Sequence, residues 1–510
     1  MQYIYLVDIL DRGRSGTIEW ELPLGLMTLS SQLRLHGYQT KVHQITPSQT
    51  DELIERITST QPLFIGLSGV FSYFAAKQLE FARRLKAKIF SPIIIGGPAV
   101  TMTPNLYMEH SEFDFVMIGE AEESVLSFAD ALLGNVDFKV VHGLCYRNHG
   151  EVMFNDPAIH IDVTKYDFDL DSINVPWNRY VRNGVLFSFR SSRGCPYRCT
   201  FCYNSGHKNP FRSYPIDKIV NRLLEIRSRT YFKQVRMIDD HLFANKNHAY
   251  RLMEALSREG INLYNSDARA ENIDVDYLNF LKNNNMQSIY FGYESENPRI
   301  LKIMNKCLEP ERVISALESS KQVPEVTLST QLMVGVPDQT RQEVISTCLH
   351  FLWLQRHYPR LMVHIVVFNP IPGTVLYKRA VELGFPPPMT LDEIQKQMLT
   401  SIWKYLSCRY EWLPWANKNE RDFLNRIYII TFSINALIRN NYVPMVFKKF
   451  ILSRYEKLFK RMKIAWRWEN VVVRSLWGGG YYNATSQGDW LGSFMEKSKN
   501  FNSHVYGGFN

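Results

Sequence analysis

Near-continuous apolar runs alternate with helix-period stretches through the first 140 residues, and no other feature restricts the fold as much. In residues 1–140 the runs are "YIYLVDI", "QTKVHQI", "LFIGLSG", "PIIIGG" and "FDFVMIGE". Between them lie "LPLGLMTLSSQLRLHG", "SQTDELIERITS", "YFAAKQLEFARRLKAK" and "EESVLSFADALLG", with apolar residues at the helical period. Strands buried on both faces read as apolar throughout, and strands separated by helices run parallel. Residues 1–140 are therefore expected to form a doubly wound α/β domain. At 510 residues the chain exceeds one hydrophobic core, so further domains follow.

In such folds a ligand sits beyond the carboxyl ends of the strands. The residues there are small: Gly66, Ser68 and Gly69 after the third run, Gly96 and Gly97 after the fourth, Gly119 and Glu120 after the fifth. Small residues let a large flat ligand or a phosphate approach the backbone, although tight βα turns need them too. No G-x-G-x-x-G follows the first run, which disfavours a dinucleotide. The stretches "LPLGLMTLSSQLRLHGYQTKVH", "FIGLSGVFSY", "IIIGGPAVTMTPN" and "DFVMIGEAEESVLSFADAL" resemble the cobalamin-binding domain that precedes many radical S-adenosylmethionine enzymes. The resemblance implies a corrinoid held near Ser68, Gly69, Gly96, Gly97 and Glu120. Domains of that kind carry Asp-x-His-x-x-Gly after the first strand, the His ligating cobalt from below. The matching stretch here is Asp8-Ile-Leu-Asp-Arg-Gly13, with Leu10 in place of the His. Leucine has no donor atom, so the expectation is a cobalt without that ligand.

Three of the seven cysteines stand within eight residues, as Cys195-x3-Cys199-x2-Cys202 in "SFRSSRGCPYRCTFCYN". Sparse, clustered thiols in an odd number point to metal or redox chemistry in a reducing compartment rather than to a disulfide framework. Zinc is one reading, with His207 as a fourth ligand, but no second knuckle follows. An iron–sulfur cluster is the other; three thiolates leave one iron of a [4Fe–4S] cluster open to a substrate. The spacing, with Phe201 just before the last cysteine and a strand-like "GVLFSFRSSRG" ahead of it, resembles the radical S-adenosylmethionine superfamily. The resemblance implies that Cys195, Cys199 and Cys202 hold the cluster and that S-adenosylmethionine chelates the open iron. It also implies cleavage to a 5′-deoxyadenosyl radical, which abstracts hydrogen from unactivated carbon. Cys145, Cys307, Cys348 and Cys408 are isolated and read as core or surface thiols.

After the loop, five more helix–strand pairs lead to "QVRMID", "INLYNSDA", "SIYFGYE", "VTLSTQLMVGVP" and "LMVHIVVFNP". With the strand before Cys195 they make a partial TIM-like (β/α)6 barrel, whose chemistry gathers at the carboxyl ends of its strands. Polar and turn residues stand there: Asp239 and Asp240, Arg269 and Glu271, Glu294 and Ser295, Gly335 and Pro337. By resemblance, the acidic pair contacts the methionine amino group, and Arg269 and Glu294 the ribose or carboxylate. Gly335 and Pro337 offer backbone to the adenine, with Phe201 packing on it.

"LGFPPPMTLDE" punctuates the end of the barrel. The expected division is a corrinoid domain over 1–140, a linker over 141–184, the radical core over 185–385 and a helical, basic and aromatic region over 386–510. That last region includes "FKKFILSRYEKLFKR" and "RMKIAWRWENVVVRSLW", and either caps the barrel or lies on a membrane surface. The run "IYIITFSINALI" is too short and polar-interrupted to span a bilayer and reads as a core helix. There is no signal-peptide pattern, so a cytoplasmic protein is expected. A net charge of +9 is mild for this length and suits anionic ligands. No nucleic-acid motif accompanies it.

Together these features predict a cobalamin-dependent radical methylase. Its cofactors would be a [4Fe–4S] cluster, S-adenosylmethionine and cobalamin. Its substrate would be a small molecule, lipid or peptide, and its electron donor a flavodoxin or ferredoxin. Alternatives are a radical cyclase or coupling enzyme using the same cofactors, and a zinc-stabilised or corrinoid-sensing binding protein. A methylthiotransferase needs a second cysteine triad, which the region before Cys145 lacks.

Overall fold

The computed structural model describes residues 3–10, 20–70, 74–168, 170–173, 176–182, 186–206, 209–264, 267–397, 413–440 and 443–463. His207, Cys408 and the tail beyond 463 lie outside them, as do positions 11–13.

The first part runs β1 (Tyr3–Ile9), α1 (Leu24–Leu35), β2 (Gln39–Ile45), α2 (Thr50–Thr60), β3 (Phe64–Ser68), α3 (Ala75–Lys86), β4 (Ile93–Gly96), the short helices α4 (Pro98–Met102) and α5 (Pro104–Met108), β5 (Phe115–Met117) and α6 (Ser124–Leu132). The five strands are parallel in the order β2-β1-β3-β4-β5. The apolar runs are buried as expected: β3 is buried over its whole length. The stretch read as a linker begins differently. An antiparallel hairpin, β6 (Leu144–Asn148) and β7 (Glu151–Phe154), adds two strands to the sheet beside β5. Its turn places His149 and Gly150 at positive φ (49° and 87°), the backbone a two-residue hairpin turn requires. Farther on, Ile173 bridges to Val42 in β2, so this segment is stitched to the sheet.

The second part continues with β8 (Val181–Arg182), β9 (Leu186–Phe189), β10 (Ser192–Arg193), α7 (Tyr203–Gly206), β11 (Arg212–Ser213), α8 (Ile216–Arg229), β12 (Gln234–Met237), α9 (Lys246–Arg258), β13 (Asn262–Leu263), β14 (Asp267–Ala268), α10 (Val275–Asn283), β15 (Ser288–Glu294), α11 (Pro298–Ile303), α12 (Pro310–Gln322), β16 (Thr327–Val334), α13 (Arg341–His357), β17 (Met362–Val367) and α14 (Val375–Glu382). The expected third barrel strand divides. Asn262 and Leu263 pair with β12, whereas Asp267 and Ala268 pair with β15. The barrel is thus two parallel half-sheets, β9-β12-β13 and β14-β15-β16-β17, joined through one chain segment, with β8 as an antiparallel edge.

Two helices close the described chain, α15 (Lys418–Arg439) and α16 (Met445–Lys460). The core-helix reading of "IYIITFSINALI" fits α15, whose Ile427, Ile430 and Ile434 are buried. α15 lies along β17, the last barrel strand, and Thr431 Oγ1 accepts the Ile365 N–H at 3.0 Å. A helix side chain thereby satisfies a backbone donor of the strand at the sheet's edge. The region after 385 is not confined to the barrel, however. Leu391 and Ile394 are buried in the core between α3 and the first sheet, and Gln395 Oε1 accepts the Ala76 N–H at 2.8 Å. No helix among the described residues is long and apolar enough to cross a membrane. The start of α16 exposes Met445, Val446 and Phe450 beside Lys449.

Candidate active site

A cavity of about 1460 Å³ lies where the carboxyl ends of the first sheet face those of the barrel. Pockets for one drug-sized ligand run to roughly 1,000 Å³, so this space admits a very large ligand or two smaller ones. Asp8, Leu10, Gly66, Ser68, Gly96, Gly97, Gly119 and Glu120 line it from one side, and Arg190, Gly194, Tyr203, Arg236 and Asp240 from the other. Gly69 is an exception among the expected contacts. Its N–H donates to Gly96 O at 2.6 Å, a Cβ there would collide with Val100, and a Cβ on Gly97 would lie 2.9 Å from its carbonyl. The glycine is needed to pack the β3 and β4 turns together, not to face the cavity.

Under the first sheet's end, Asp8 accepts from Gln44 Nε2 at 2.8 Å, and Gln44 Oε1 accepts from Tyr180 at 3.0 Å. Burial pushes the Asp8 carboxyl up to about 6, with the Gln44 and Ser68 hydrogen bonds opposing it. Between the unfolded value near 4 and this one, the folded state binds a proton that the unfolded chain does not. Stability should therefore fall as pH rises from about 4 to 6. Asp8→Asn keeps an acceptor for Gln44 and removes the charge. It should match the parent below about pH 4 and exceed it by about 3 kcal/mol at pH 7. Urea midpoints across that range check this; a pH-independent offset would refute it.

The three cysteines lie in a loop tied at its neck by the β10–β11 ribbon, in which Arg193 stands opposite Arg212. Cys195, Cys199 and Cys202 are each partly buried, and burial raises all three thiols, Cys195 to about 11. Cys195 and Cys199 titrate in the field of Cys202, and the Lys306 charge acts on Cys199 and Cys202. Among the described residues, no three His, Cys, Asp or Glu side chains converge where one metal ion could sit. A tetrahedral zinc site needs that convergence; thiolates on separate irons of a cluster do not. The donor set, three thiols under cationic neighbours, suits a net-negative iron–sulfur cluster.

The acidic pair splits in two. Asp239 is buried and accepts from the Ser191 N–H (3.1 Å), Ser191 Oγ (3.0 Å) and Ser192 Oγ. It fixes the chain entering the cysteine loop, so only Asp240 faces the cavity. Arg269 is spent on Glu271 (2.6 Å) and on the carbonyls of Lys306 and Cys307, and its guanidinium lies 3.9 Å over the Tyr197 ring inside the cysteine loop. Glu294 holds a buried ion pair with Lys306 at 3.1 Å. Gly292 allows it: a Cβ there would collide with Lys306 Nζ as the lysine crosses β15. The Gly335 N–H donates to Gln339 Oε1 and its carbonyl accepts from Trp415 Nε1, so both polar atoms expected to meet an adenine already have partners. Phe201 packs against the apolar cluster that includes Met304, Met333, Val336 and Phe368.

Glu120 lines the cavity and also carries the densest set of polar contacts there. It accepts from Arg212 at 2.7 and 2.8 Å, from Arg193 at 3.4 Å and from the Ile161 N–H at 2.9 Å. Glu122 takes Arg193 at 2.7 Å. Burial acts to raise the Glu120 carboxyl, but the two arginines hold it below the usual range. Its charge is used to latch the end of β5 to the neck of the cysteine loop. Arg193 and Arg212 escaped the sequence reading, because a two-residue ribbon has no periodicity to detect.

The superfamily model for radical S-adenosylmethionine enzymes matches residues 189–350, and the model for B12-binding domains matches residues 21–129. The chain belongs to the cobalamin-binding radical S-adenosylmethionine enzymes. An uncharacterized methyltransferase of Pyrococcus horikoshii is 27% identical over 376 residues, covering 70% of this chain and 78% of that protein. Two solved structures share the fold at 15% identity. One is the radical S-adenosylmethionine methyltransferase TsrM from Kitasatospora setae with cobalamin and a [4Fe–4S] cluster (TM-score 0.63, 78% of this chain, 85% of that one). The other is the cobalamin-dependent enzyme OxsB with aqua-cobalamin and S-adenosylmethionine (TM-score 0.65, 98% and 84%). This radical S-adenosylmethionine enzyme uses a [4Fe–4S] cluster, S-adenosylmethionine and cobalamin, and the cavity joins its two cofactor-bearing parts.

Proposed function

We propose that this enzyme methylates an unactivated carbon of a small molecule. The observation that carries the reading is the single cavity shared by the strand ends of the B12-binding sheet and the neck of the cysteine loop. When bound, the three cofactors supply one-electron cleavage, hydrogen abstraction and a transferable methyl group. Cys195, Cys199 and Cys202 hold the cluster, and Lys306 and Arg269 place positive charge beside them. Asp240 receives the ammonium of S-adenosylmethionine, and Asp239 holds the loop that presents it. Ser68, Gly96 and Gly97 form the floor against the corrinoid. Leu10 faces the same cavity and offers cobalt no donor; His160 is the one histidine among the lining residues.

The test is anaerobic reconstitution of the full chain with iron, sulfide and cobalamin. Iron and cobalt should load together, with 5′-deoxyadenosine formed from S-adenosylmethionine and labelled methyl passed to product. The Co(II) electron paramagnetic resonance spectrum should lack nitrogen coupling. Cobalt loading without methyl transfer would favour the cyclase reading. Zinc in place of iron would sink both. A flavodoxin- or ferredoxin-type donor and a membrane contact through the exposed start of α16 belong to the same proposal; donor-dependent cleavage and flotation with anionic vesicles test them.

A further inference from the structure

We propose that Arg190 and Arg236 form an anion subsite that binds a carboxylate or phosphate group of the substrate. The proposal deepens the methyltransferase reading and rests on it. Both arginines stand at the ends of neighbouring parallel strands: Arg236 lies in β12 opposite Ser188, and Arg190 two residues beyond Ser188. Phe187 and Phe189 on one strand, and Val235 and Met237 on the other, are buried in the core. Alternation then turns Arg190 and Arg236 toward the opposite face, the barrel interior. Both line the cavity and both are exposed within it.

The other cations around the cavity are committed. Arg193 is held by Glu120 and Glu122, Arg222 by Asp167 and Glu225, and Lys218 donates to Thr164 O. Arg190 and Arg236 make no hydrogen bond or ion pair among the described residues. Asp239 feels the Arg190 charge, but its oxygens serve Ser191 and Ser192; Asp267 feels Arg236 without an ion pair. Two guanidiniums on one face of neighbouring paired strands, lining one cavity, match an oxyanion that accepts in pairs.

Position along the strand fixes where that anion lies. Arg236, Ile238 and Asp240 alternate along one chain, and all three line the cavity. Asp240 is at the cluster end, where its charge acts on Cys195 and Cys202. At roughly 3.3 Å per residue, Arg236 is about 13 Å back from it. The substrate would thus be anchored by an anionic group well away from the carbon presented to the cluster side.

The experiment is calorimetric titration of the cluster-loaded full chain with phenyl phosphate, phenylacetate and, as the neutral probe, phenylacetamide. At least one anion should bind, and phenylacetamide about tenfold or more weaker. Arg190→Gln and Arg236→Gln should each weaken the anion by about tenfold to a hundredfold, and the lysine variants by less. Whichever anion binds better names the group. Equal binding of the neutral probe, or undiminished anion binding in both glutamine variants, would overturn the proposal. So would loss of S-adenosylmethionine affinity in the variants, which would assign the arginines to the cofactor. A wild-type chain that binds the anions but loads no cobalt would refute the methyltransferase reading and leave the subsite standing.

Discussion

Replacing Cys195, Cys199 and Cys202 together by alanine should abolish iron–sulfur loading and S-adenosylmethionine cleavage while leaving the fold intact. The thiols project from a loop whose shape is set by other bonds: the β10–β11 pairing, the Asp239 hydrogen bonds and the Arg269–Tyr197 stack. Loss of an outer-shell partner of a metal site commonly lowers activity by roughly 10- to 100-fold, and loss of the ligands themselves should exceed that. Iron and sulfide per chain, the visible absorption of the cluster and 5′-deoxyadenosine yield measure the effect. Circular dichroism and cobalt loading should stay near the parent values, since the corrinoid side of the cavity is built from other residues. A triple variant that kept its cluster would remove the basis of the assignment. A variant that lost cobalt as well would show the loop to be a structural support for the first sheet.

Removing the latch should act on stability instead. Arg193, Glu122, Glu120 and Arg212 have side chains only 13%, 4%, 16% and 16% exposed. Glu120→Ala would leave Arg212 buried without its carboxylate. Breaking such a pair on one side costs about 3–5 kcal/mol, and partial exposure puts this case at about 3 kcal/mol. Replacing both partners by apolar residues, Glu120→Leu with Arg212→Met, should recover most of the loss. Urea unfolding of the three proteins checks the cycle. If Glu120→Ala cost less than about 0.5 kcal/mol, the pair would be no more than a surface contact.

What the sequence disclosed followed periodicity and spacing. The first sheet was legible because strands buried on two faces are apolar throughout, the barrel strands because short alternating runs follow each helix, and the cysteine loop because its spacing is compact. Elements too short to have a period were not: β10 and β11 are two residues each, and the third barrel strand divides at Leu263 and Asp267. The β6–β7 hairpin was hidden for another reason. All four residues of β7 are exposed, so burial left no pattern, although His149-Gly150 was a readable turn. The partners of the charged site residues were not legible at all. Glu120 and Arg269 look like ligand contacts in sequence, and only the structure shows that Glu120 is also paired with Arg212, and Arg269 with Glu271 and the Tyr197 ring.

The latch between β5 and the β10–β11 ribbon bears on how such enzymes can be recombined. A chimera that fuses a foreign corrinoid module to this barrel at a linker would separate two acids from two arginines that were matched to each other. Both faces of the seam would then be buried with unbalanced charge. The transferable unit is therefore the module together with its acid pair and the receiving ribbon, residues that lie about 70 to 90 positions apart in the chain.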